Sequence, residues 1–428
     1  MVRTSAVLCE PAPLAQQQLL KLYSEVRTST LKLAEPLNPE DQMVQSMSDA
    51  SPTKWHLAHT TWFFETFILA PHVTGYVPFD VRYQYLFNSY YKQLGDHPER
   101  ATRGNFSRPE LYEVLRYRNY VDTGIQSLFD REVSNELMQL LELGLNHEQQ
   151  HQELIVTDIK HAFWSNPLRP SYLPIQIRGV ESTALPLSWL DFEGGDFEAG
   201  HHTEGFAFDN ELPRHRTYLR PFRIASRLVT NAEYLEFMLD GGYLRPELWL
   251  SDAWDHLQAS GWTAPLYWEQ GEDQAWKVFT SRGGSPLHPN EPVCHVSFHE
   301  ADAYARWAGA RLPTETEWEF AAQSVAVQGN FLENGEYHPA PAHPGEGLQQ
   351  LYGDVWEWTA SPYVAYPGYR STSGAIGEYN GKFMCNKMVL KGGSCVTPTS
   401  HIRASYRNFF APEAQWQFSG IRLADDKI

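Results

Sequence analysis

Two histidines one helical turn apart are the first residues whose spacing indicates chemistry. His147 and His151 are four positions apart, so an α-helix places their imidazoles one above the other on the same face. The same spacing also occurs on polar helix faces and in hydrogen-bonded cores, so the pair alone does not define a metal site. A second predicted helix carries His56 and His59, and by spacing alone either could supply a third imidazole.

Three imidazoles on facing helices would form an open metal site. Helical bundles build such sites from side chains that project into the bundle core. With three imidazoles and no carboxylate, two or three coordination positions stay free for substrate or water. Zinc, iron, nickel and copper all accept this ligand set. The residues therefore predict a catalytic metal without naming it.

Residues 13–165 are predicted to form the helical domain that positions these histidines. Their apolar residues recur three or four positions apart, and a serine followed by proline predicts that Ser51 caps the second helix, with Pro52 in its first turn. Four helices joined by longer loops favour an up-and-down bundle. The predicted helices are Leu14–Ala34, Ser51–Leu69, Pro109–Val121 and Ser134–Phe163.

A proline-rich stretch follows this domain. Residues 166–185 contain Pro167, Pro170 and Pro174, which break helices, so we predict a linker there. From residue 186 to 428 the composition shifts to Gly, Trp and short β-like runs, which predicts a second, loop-rich domain of mixed α+β type. Within it we predict three short helices and one long loop, at Asn231–Met238, His299–Ala308, Thr314–Gln323 and 325–350 respectively.

Charge and composition argue against several classes of partner. The 428 residues carry 34 Lys and Arg against 52 Asp and Glu, a net charge of −18, so we expect neither a nucleic acid nor a membrane as partner. No apolar run reaches the roughly 20 residues of a spanning helix, and the N-terminus is a poor signal peptide. The four cysteines form no CxxC pair, so we expect no disulfide framework and a cytoplasmic location.

A series of strings in the second half follows a known order. The strings are Gly194–Gly200, Asn210–His215, Val229–Tyr234, Pro292–Ser297, Ala303–Trp307, Arg311–Glu319, Gly353–Trp358, Lys391–Ser394 and Gly420–Ala424. They resemble the sulfatase-modifying-factor (formylglycine-generating enzyme) type of domain, which implies a C-type-lectin-like fold. A formylglycine-generating enzyme binds copper through a cysteine pair near its C-terminus. Cys385 and Cys395 do not match that pair, so we expect this domain to have kept the fold and taken another role.

The first domain resembles a DinB-like four-helix bundle through its His-x3-His-x-Glu string at His147, His151 and Glu153. A DinB-like bundle followed by a sulfatase-modifying-factor domain is similar to the iron(II) sulfoxide synthases of ergothioneine biosynthesis (the EgtB family), over nearly the whole chain. In that family the metal ligands are the last histidine of a Trp-x-x-x-His string and both histidines of the His-x3-His string. The resemblance therefore implies Fe(II) on His59, His147 and His151, and it removes His56 from the ligand set.

The resemblance also implies a reaction between small molecules and O₂. The sulfur of cysteine, or of γ-glutamylcysteine, is joined to C2 of the imidazole of hercynine (N-α-trimethylhistidine), and the product is a sulfoxide. Such a reaction needs a proton donor for the reduced oxygen. We expect Tyr90 or Tyr91 in this role, and Tyr379 in the second domain is the rival.

Further residues are expected to bind the two organic substrates. Gln150 lies one turn from His147 and beside His151, so its amide could reach a metal-bound imidazole through water. The string Asn408–Phe410 resembles the segment that holds the hercynine carboxylate and trimethylammonium. In this string Asn408 would hold the carboxylate, and Phe409 or Phe410 would face the ammonium. Branch members that use γ-glutamylcysteine carry Asn-Trp-Asp here and an arginine shortly afterwards. This chain lacks that acid and that base, which favours free cysteine.

An arginine of the first domain is expected to hold the carboxylate of the thiol substrate. Arg100, Arg103 and Arg108 flank a glycine-containing loop, and we favour Arg103 because a guanidinium binds carboxylate in bidentate fashion. Three alternatives to the oxygenase remain open at this point. They are a zinc- and thiol-dependent transferase of the DinB-like type, a related selenoneine- or ovothiol-type synthase, and a ligand-binding lectin-like protein with structural histidines.

Overall fold

A bundle of helices forms the first part of the chain. The structure is a computed structural model that describes residues 15–175, 185–202, 205–371 and 374–427. The bundle helices are α1 (Gln16–Ala34), α2 (Thr53–Phe64), α3 (Ala70–His72), α4 (Tyr83–Leu86), α5 (Leu111–Leu128) and α6 (Asn135–Ser165). The four long helices confirm the predicted bundle, although α5 continues well beyond the predicted end at Val121.

Helix α2 is the central element of the bundle. Every residue from Thr53 to Phe64 is buried, as expected for a helix that is covered on all sides. Helices α5 and α6 pack against it, and α1 packs on α6. The helical path continues through a π-helical turn at Glu65–Leu69 and ends with α3. His59 therefore lies in the middle of a fully buried helix.

The start of α2 differs from its prediction. The helix begins at Thr53, after Pro52, and no side chain caps it. The Ser51 hydroxyl accepts a hydrogen bond from Arg103 Nη1 at 2.9 Å, and the Ser51 backbone N–H donates to Asp158 Oδ2 at 2.8 Å. The prediction that Ser51 caps the helix was wrong, because its hydroxyl is turned towards the guanidinium instead of the first amides of α2.

Short strands and four α-helices make up the described part of the second domain. The strands are β1 (Trp189–Phe192), β2 (Gly195–Ala199), β3 (His215–Leu219), β4 (Phe222–Ala225), β5 (Trp268–Gln270), β6 (Trp276–Thr280), β7 (Gly283–Pro286), β8 (Trp356–Pro362), β9 (Met388–Lys391), β10 (Asn408–Phe410), β11 (Ser419–Gly420) and β12 (Ala424–Asp426). The helices are α7 (Asn231–Leu239), α8 (Ser251–Ser260), α9 (Phe298–Trp307) and α10 (Glu315–Ala322). Three of these helices match the predictions, whereas α8 was not predicted.

The strands form several small sheets instead of one large one. The described strands pair in the orders β1-β4-β12, β10-β9-β8-β11, β2-β3 and β5-β6-β7. Helices α7, α9 and α10 each begin with a capping box, in which a Ser or Thr and a Glu three residues later satisfy each other's backbone amides. The described residues between 325 and 350 contain no α-helix or β-strand, as expected for the predicted loop. A helical bundle followed by a strand-rich, loop-rich domain is the architecture that the sequence predicted.

A buried carboxyl on α6 joins the two parts of the chain. Glu153 accepts hydrogen bonds from Trp356 Nε1 at 2.5 Å and from Thr397 Oγ1 at 2.7 Å. Burial raises the pKa of this carboxyl to about 7, although these hydrogen bonds oppose the shift. The proposed linker at 166–185 stays a prediction, and residues 176–184 lie outside the described residues.

A second buried carboxyl on α6 joins three helices of the bundle. Glu148 accepts from Arg27 on α1 at 2.8 Å and from Arg118 on α5 at 2.6 Å. Its Oε1 also accepts from Thr30 at 2.7 Å. Burial alone would raise the pKa of Glu148, but the charges of Arg118 and Arg27 outweigh that effect and lower it to about 2. The ion cluster thus fixes α6 one residue after His147.

Replacing this carboxylate should destabilise the bundle strongly. Glu148→Gln leaves Arg27 and Arg118 buried without their common counter-charge, and breaking a buried ion pair in this way costs about 3–5 kcal/mol. Because the pKa of Glu148 falls from 4.5 to about 2 on folding, its contribution is complete above pH 4.5 and is lost as the pH falls towards 2. Urea unfolding followed by circular dichroism measures the change.

The matched control is Glu25→Gln, which removes one partner of the exposed Lys21–Glu25 pair on α1. Exposed pairs contribute little, so this variant should unfold at nearly the wild-type urea concentration. Equal effects of the two substitutions would contradict the role given to the buried cluster.

Candidate metal centre

Three imidazoles from α2 and α6 converge in the bundle. One ring nitrogen from each of His59, His147 and His151 lies within 4.8 Å of the others, and all three side chains are buried. Among the described residues, no other group of three or more histidines, cysteines and carboxylates comes together in this way. The structure thus brings together the residues that the sequence resemblance named as metal ligands.

The first of these imidazoles is held in one tautomer and one orientation. His59 Nδ1 lies 2.6 Å from the Phe87 carbonyl, which can only accept, so Nδ1 carries the proton and Nε2 is left with a free lone pair. Within the described part of the chain His59 Nε2 has no hydrogen-bond partner. The indoles of Trp55 and Trp62 both stack nearly parallel to the ring, at centroid distances of 4.5 and 5.5 Å. The protein therefore directs a buried nitrogen with a free lone pair, His59 Nε2, towards the centre.

The other two imidazoles approach each other closely. His147 Nε2 and His151 Nε2 are 3.0 Å apart, a distance at which two lone pairs repel unless a proton or a cation lies between them. Burial lowers the pKa of His147 to about 3 and holds the pKa values of His59 and His151 well below 6.5. Neutral imidazoles that direct lone pairs at a common point are what a divalent metal ion requires. The residues present therefore fit a metal.

His56 lies next to His151 but is not a member of the cluster. Its Nδ1 lies 2.8 Å from His151 Nδ1, and its Nε2 lies 3.1 Å from Asp158 Oδ2. Both ring nitrogens of His56 are thus engaged away from the point where the three imidazoles meet. This geometry favours His59 over His56 as a metal ligand, a choice that spacing alone had left open.

A cavity of about 550 Å³ opens beside the imidazoles, between the two domains. The predicted site residues that line it are Tyr90, Arg103, His147, Gln150 and His151 from the bundle, and Tyr379, Asn408, Phe409 and Phe410 from the second domain. A molecule bound here would touch the histidine cluster and both domains at once.

The three candidate tyrosines lie at different places relative to this cavity. Tyr379 lies nearest the cluster, since its ring centroid is 5.6 Å from that of His147. Tyr90 also lines the cavity, and its ring lies 6.1 Å from that of Tyr379. Tyr91 is fully buried against Trp62 and does not line the cavity. Geometry therefore favours Tyr379, then Tyr90, over Tyr91.

A line of hydrogen bonds holds the Tyr379 hydroxyl. Tyr379 donates to Gln150 Oε1, and Gln150 Nε2 donates to the Tyr406 hydroxyl at 2.7 Å. Tyr406 in turn lies 3.0 Å from His401 Nε2, while His401 Nδ1 lies 3.0 Å from Asn146 Oδ1. Since Oδ1 of Asn146 can only accept, every proton in the line has a defined position and Tyr379 must be a donor to Gln150.

Arg103 is a buried cation with neutral partners. It is 5% exposed, and its guanidinium donates to Ser51 Oγ and Ser89 Oγ, both at 2.9 Å. The same group lies 3.5 Å from the centre of the Trp55 ring. Burial, with a smaller contribution from Arg100, lowers the pKa of Arg103 to about 9. A buried guanidinium that forms no ion pair with any described carboxylate is a suitable place for the carboxylate of a ligand.

Strand β10, from the second domain, forms one wall of the cavity. Its residues Asn408, Phe409 and Phe410 are all half-buried and all line the cavity. Phe409 stacks on Tyr363 with a centroid distance of 4.0 Å and an angle of 11° between the rings. The wall is therefore largely aromatic, with one amide side chain at its start.

Comparison with known proteins adds the decisive observation. A model of the sulfatase-modifying factor enzyme 1-like domain matches residues 188–345 and 343–427. The hercynine oxygenases of Mycolicibacterium thermoresistibile and Mycobacterium tuberculosis are each 31% identical to this chain over 96% of its length, and the matches cover 95% and 99% of those proteins. The hercynine oxygenase of Mycolicibacterium smegmatis is 36% identical, over 66% of this chain and 71% of that protein. This chain belongs to the hercynine oxygenase family.

Membership in the hercynine oxygenase family confirms two predictions made from the sequence. The chain is an enzyme, and its bundle and sulfatase-modifying-factor domain are the two-domain architecture of the EgtB family. It decides against the non-enzymatic, ligand-binding alternative. No helix among the described residues is both long and apolar enough to cross a membrane.

Three residues around the histidine cluster of this hercynine oxygenase family member were not predicted from the sequence. Asp158 lies seven positions after His151, which places both on one face of α6, so helical spacing contained the signal. Tyr406 lies two residues before β10, and His401 lies five residues before Tyr406. Nothing in the sequence indicated that both would lie beside Gln150.

Removing one of the three imidazoles should abolish tight metal binding. The His59→Ala and His147→Ala variants are loaded anaerobically with Fe(II) and desalted. We expect each to keep no more than about a tenth of the metal that the wild type keeps, because each loses one metal-binding nitrogen of the cluster. Metal content by mass spectrometry gives the result. His215→Ala, on β3, should retain wild-type metal, and full metal retention by either cluster variant would contradict the assignment.

Proposed function

We propose that this enzyme joins the sulfur of cysteine to C2 of the hercynine imidazole, with O₂ as oxidant and Fe(II) as cofactor, in ergothioneine biosynthesis. One cysteine, one hercynine and one O₂ give one sulfoxide and one water. The observation that carries the proposal is the cluster of His59, His147 and His151 beside a cavity shared by both domains. The names of the relatives, hercynine oxygenase, support the substrate.

In the proposed reaction the metal and the protein side chains have different roles. Iron(II), when bound, supplies a centre where thiolate, substrate imidazole and O₂ can meet and from which O₂ can be reduced. The three neutral imidazoles leave coordination positions free for these molecules. The protein binds and orients the two organic substrates in the cavity, which replaces a chance encounter by a fixed arrangement.

Tyr379 is the proton donor that this geometry favours. Its ring is the nearest of the candidate tyrosines to the cluster, and Gln150 fixes its hydroxyl. Burial holds the pKa of the Tyr379 phenol well above 10, so the group stays protonated at neutral pH and can donate a proton to reduced oxygen. The sequence argument had favoured Tyr90 or Tyr91, and Tyr90 remains the second choice because it also lines the cavity.

Loss of the Tyr379 hydroxyl should change the product and not only the rate. In Tyr379→Phe we expect O₂ uptake to continue while the product shifts from sulfoxide to cysteine sulfinate, since oxygen is then transferred to sulfur without the proton that C–S bond formation needs. Liquid chromatography with mass spectrometry measures the ratio of the two products.

The matched controls for this prediction are the neighbouring tyrosines. Tyr91→Phe should keep the wild-type ratio, because its side chain lies outside the cavity. A shift in Tyr90→Phe with none in Tyr379→Phe would transfer the role to Tyr90.

Hercynine fits the part of the cavity between Gln150 and β10. The Gln150 side chain lies one turn from His147 and faces the cavity, so its amide can contact the substrate imidazole. The Asn408 side chain can bind the hercynine carboxylate, and the aromatic wall of Phe409 and Phe410 suits a trimethylammonium group through cation–π attraction.

Cysteine fits the end of the cavity at Arg103. The guanidinium can bind the cysteine carboxylate and leave the thiol directed at the histidine cluster. Where family members that use γ-glutamylcysteine have an acid, this chain presents Phe410, and Ala411 follows it in the wall. Two apolar residues offer nothing to the charged glutamyl group, which supports free cysteine as the thiol.

Removing the Arg103 charge should weaken thiol binding selectively. We expect Arg103→Gln to raise the KM for cysteine about 10- to 100-fold, the effect of losing a charged hydrogen bond, with a much smaller change in the KM for hercynine. Steady-state O₂ uptake with each substrate varied in turn gives both constants. Arg108→Gln is the control, since Arg108 is exposed and pairs with Glu110. An equal rise in both KM values would contradict the assignment.

The reaction itself is tested by anaerobic reconstitution with Fe(II), followed by O₂ uptake with hercynine and either cysteine or γ-glutamylcysteine. We expect uptake and sulfoxide formation with cysteine, with the new bond at imidazole C2 by NMR. O₂ uptake with hercynine and γ-glutamylcysteine, but not with hercynine and cysteine, would overturn the choice of thiol. No uptake with any thiol would overturn the proposed function.

A further inference from the structure

His56 and Asp158 form a hydrogen-bonded line behind one of the three clustered imidazoles. His151 Nδ1 lies 2.8 Å from His56 Nδ1, and His56 Nε2 lies 3.1 Å from Asp158 Oδ2. All three side chains are buried. The line therefore runs from α6 to α2 and back to α6 without any exposed member.

The proton positions along this line follow from its far end. A carboxylate can only accept, and Asp158 Oδ2 already accepts from the Ser51 amide at 2.8 Å, so His56 Nε2 carries a proton and donates it. A neutral His56 then has a bare Nδ1, which accepts from His151 Nδ1. His151 is left with a bare Nε2, the atom that lies 3.0 Å from His147 Nε2.

We propose that Asp158 and His56 are positioning residues that hold His151 in the tautomer and ring orientation needed to bind the metal. Histidines that bind metals usually donate their second ring nitrogen to a carbonyl or carboxylate, which fixes the ring and makes the donor atom more basic. His59 does so directly, through the Phe87 carbonyl. His151 does so indirectly, because it donates to His56 and His56 in turn donates to the Asp158 carboxylate.

The same geometry excludes His56 as an alternative metal ligand. Its Nδ1 accepts from His151 and its Nε2 donates to Asp158, so no lone pair of His56 is left for a cation. A ligand role would require breaking both hydrogen bonds inside a buried site. The inference rests on the proposed function only in taking His59, His147 and His151 as the metal ligands.

Cobalt(II) binding tests this role without depending on turnover. The full chain, free of metal, is titrated with Co(II) against a chelator, and the visible d–d spectrum of the complex is recorded. We expect His56→Ala to bind Co(II) ~10- to 100-fold more weakly than the wild type, with shifted d–d bands, since His151 is then free to adopt either tautomer and to rotate.

A conservative variant separates positioning from simple packing. His56→Gln keeps an amide donor for Asp158 and an amide oxygen to accept from His151, so we expect it to restore most of the affinity and the wild-type spectrum. Asp158→Asn keeps the shape and removes the charge, and its affinity should fall between those of the wild type and His56→Ala. His161→Gln is the control, since His161 lies on α6 but bonds Ser46 at 2.7 Å, outside the line. It should bind Co(II) as the wild type does.

The outcomes separate this inference from the proposed function. Wild-type affinity and spectrum in His56→Ala overturn the inference, even if the Fe(II) enzyme turns over hercynine. Weakened, shifted Co(II) binding supports it, even if hercynine is not a substrate. If His56→Ala fails to fold by near-ultraviolet circular dichroism, His56→Gln and Asp158→Asn decide, and wild-type affinity and spectrum in Asp158→Asn then overturn it. Absence of Co(II) binding in the wild type overturns both.

Discussion

Three neutral imidazoles buried with their lone pairs directed at one point are the constraint on which the rest of this structure depends. His147 Nε2 and His151 Nε2 stand only 3.0 Å apart, and burial keeps both imidazoles neutral. Without a cation such an arrangement is unfavourable, so the fold must hold it by other means. It does so by placing the histidines on two adjacent helices, one of which is buried along its whole length.

Helix α6 has several roles because its faces contact different parts of the chain. His147 and His151 face α2, while Glu148 is turned towards Arg27 and Arg118, so the ion cluster anchors the helix beside the imidazoles. Glu153 binds Trp356 and Thr397 of the second domain. The carboxyl that joins the domains is thus only two residues from His151, and the wall of the cavity is fixed relative to the cluster. The second domain contributes Tyr379 and β10 to that wall.

Local patterns in the sequence were sufficient for the long helices of the bundle and for most of the cluster. The spacing of His147 and His151 predicted a shared face of a helix, and the structure has that face. Spacing could not choose between His56 and His59, because both lie on α2 and the choice depends on what each ring meets. The family resemblance chose His59, and the geometry explains the choice through the Phe87 carbonyl and the engagement of His56 by His151 and Asp158.

Contacts between distant segments were beyond the sequence argument. Ser51 matches the pattern of a helix cap, yet Arg103, 52 residues away, takes its hydroxyl. Tyr379 lies 229 residues from Gln150, so only the packing of the two domains brings it to the cluster ahead of Tyr90. The place of Tyr91 behind Trp62 is likewise a matter of tertiary packing, which two adjacent tyrosines in a loop do not reveal.

We propose that one iron ion binds to His59, His147 and His151 and leaves coordination positions open for the thiol. Iron K-edge X-ray absorption of the anaerobic Fe(II) protein, recorded with and without cysteine, tests it most directly. We expect imidazole scattering from three histidines in both states, and one additional sulfur scatterer when cysteine is present. Fewer imidazoles in the wild type, or no sulfur in the iron shell at saturating cysteine, would contradict it.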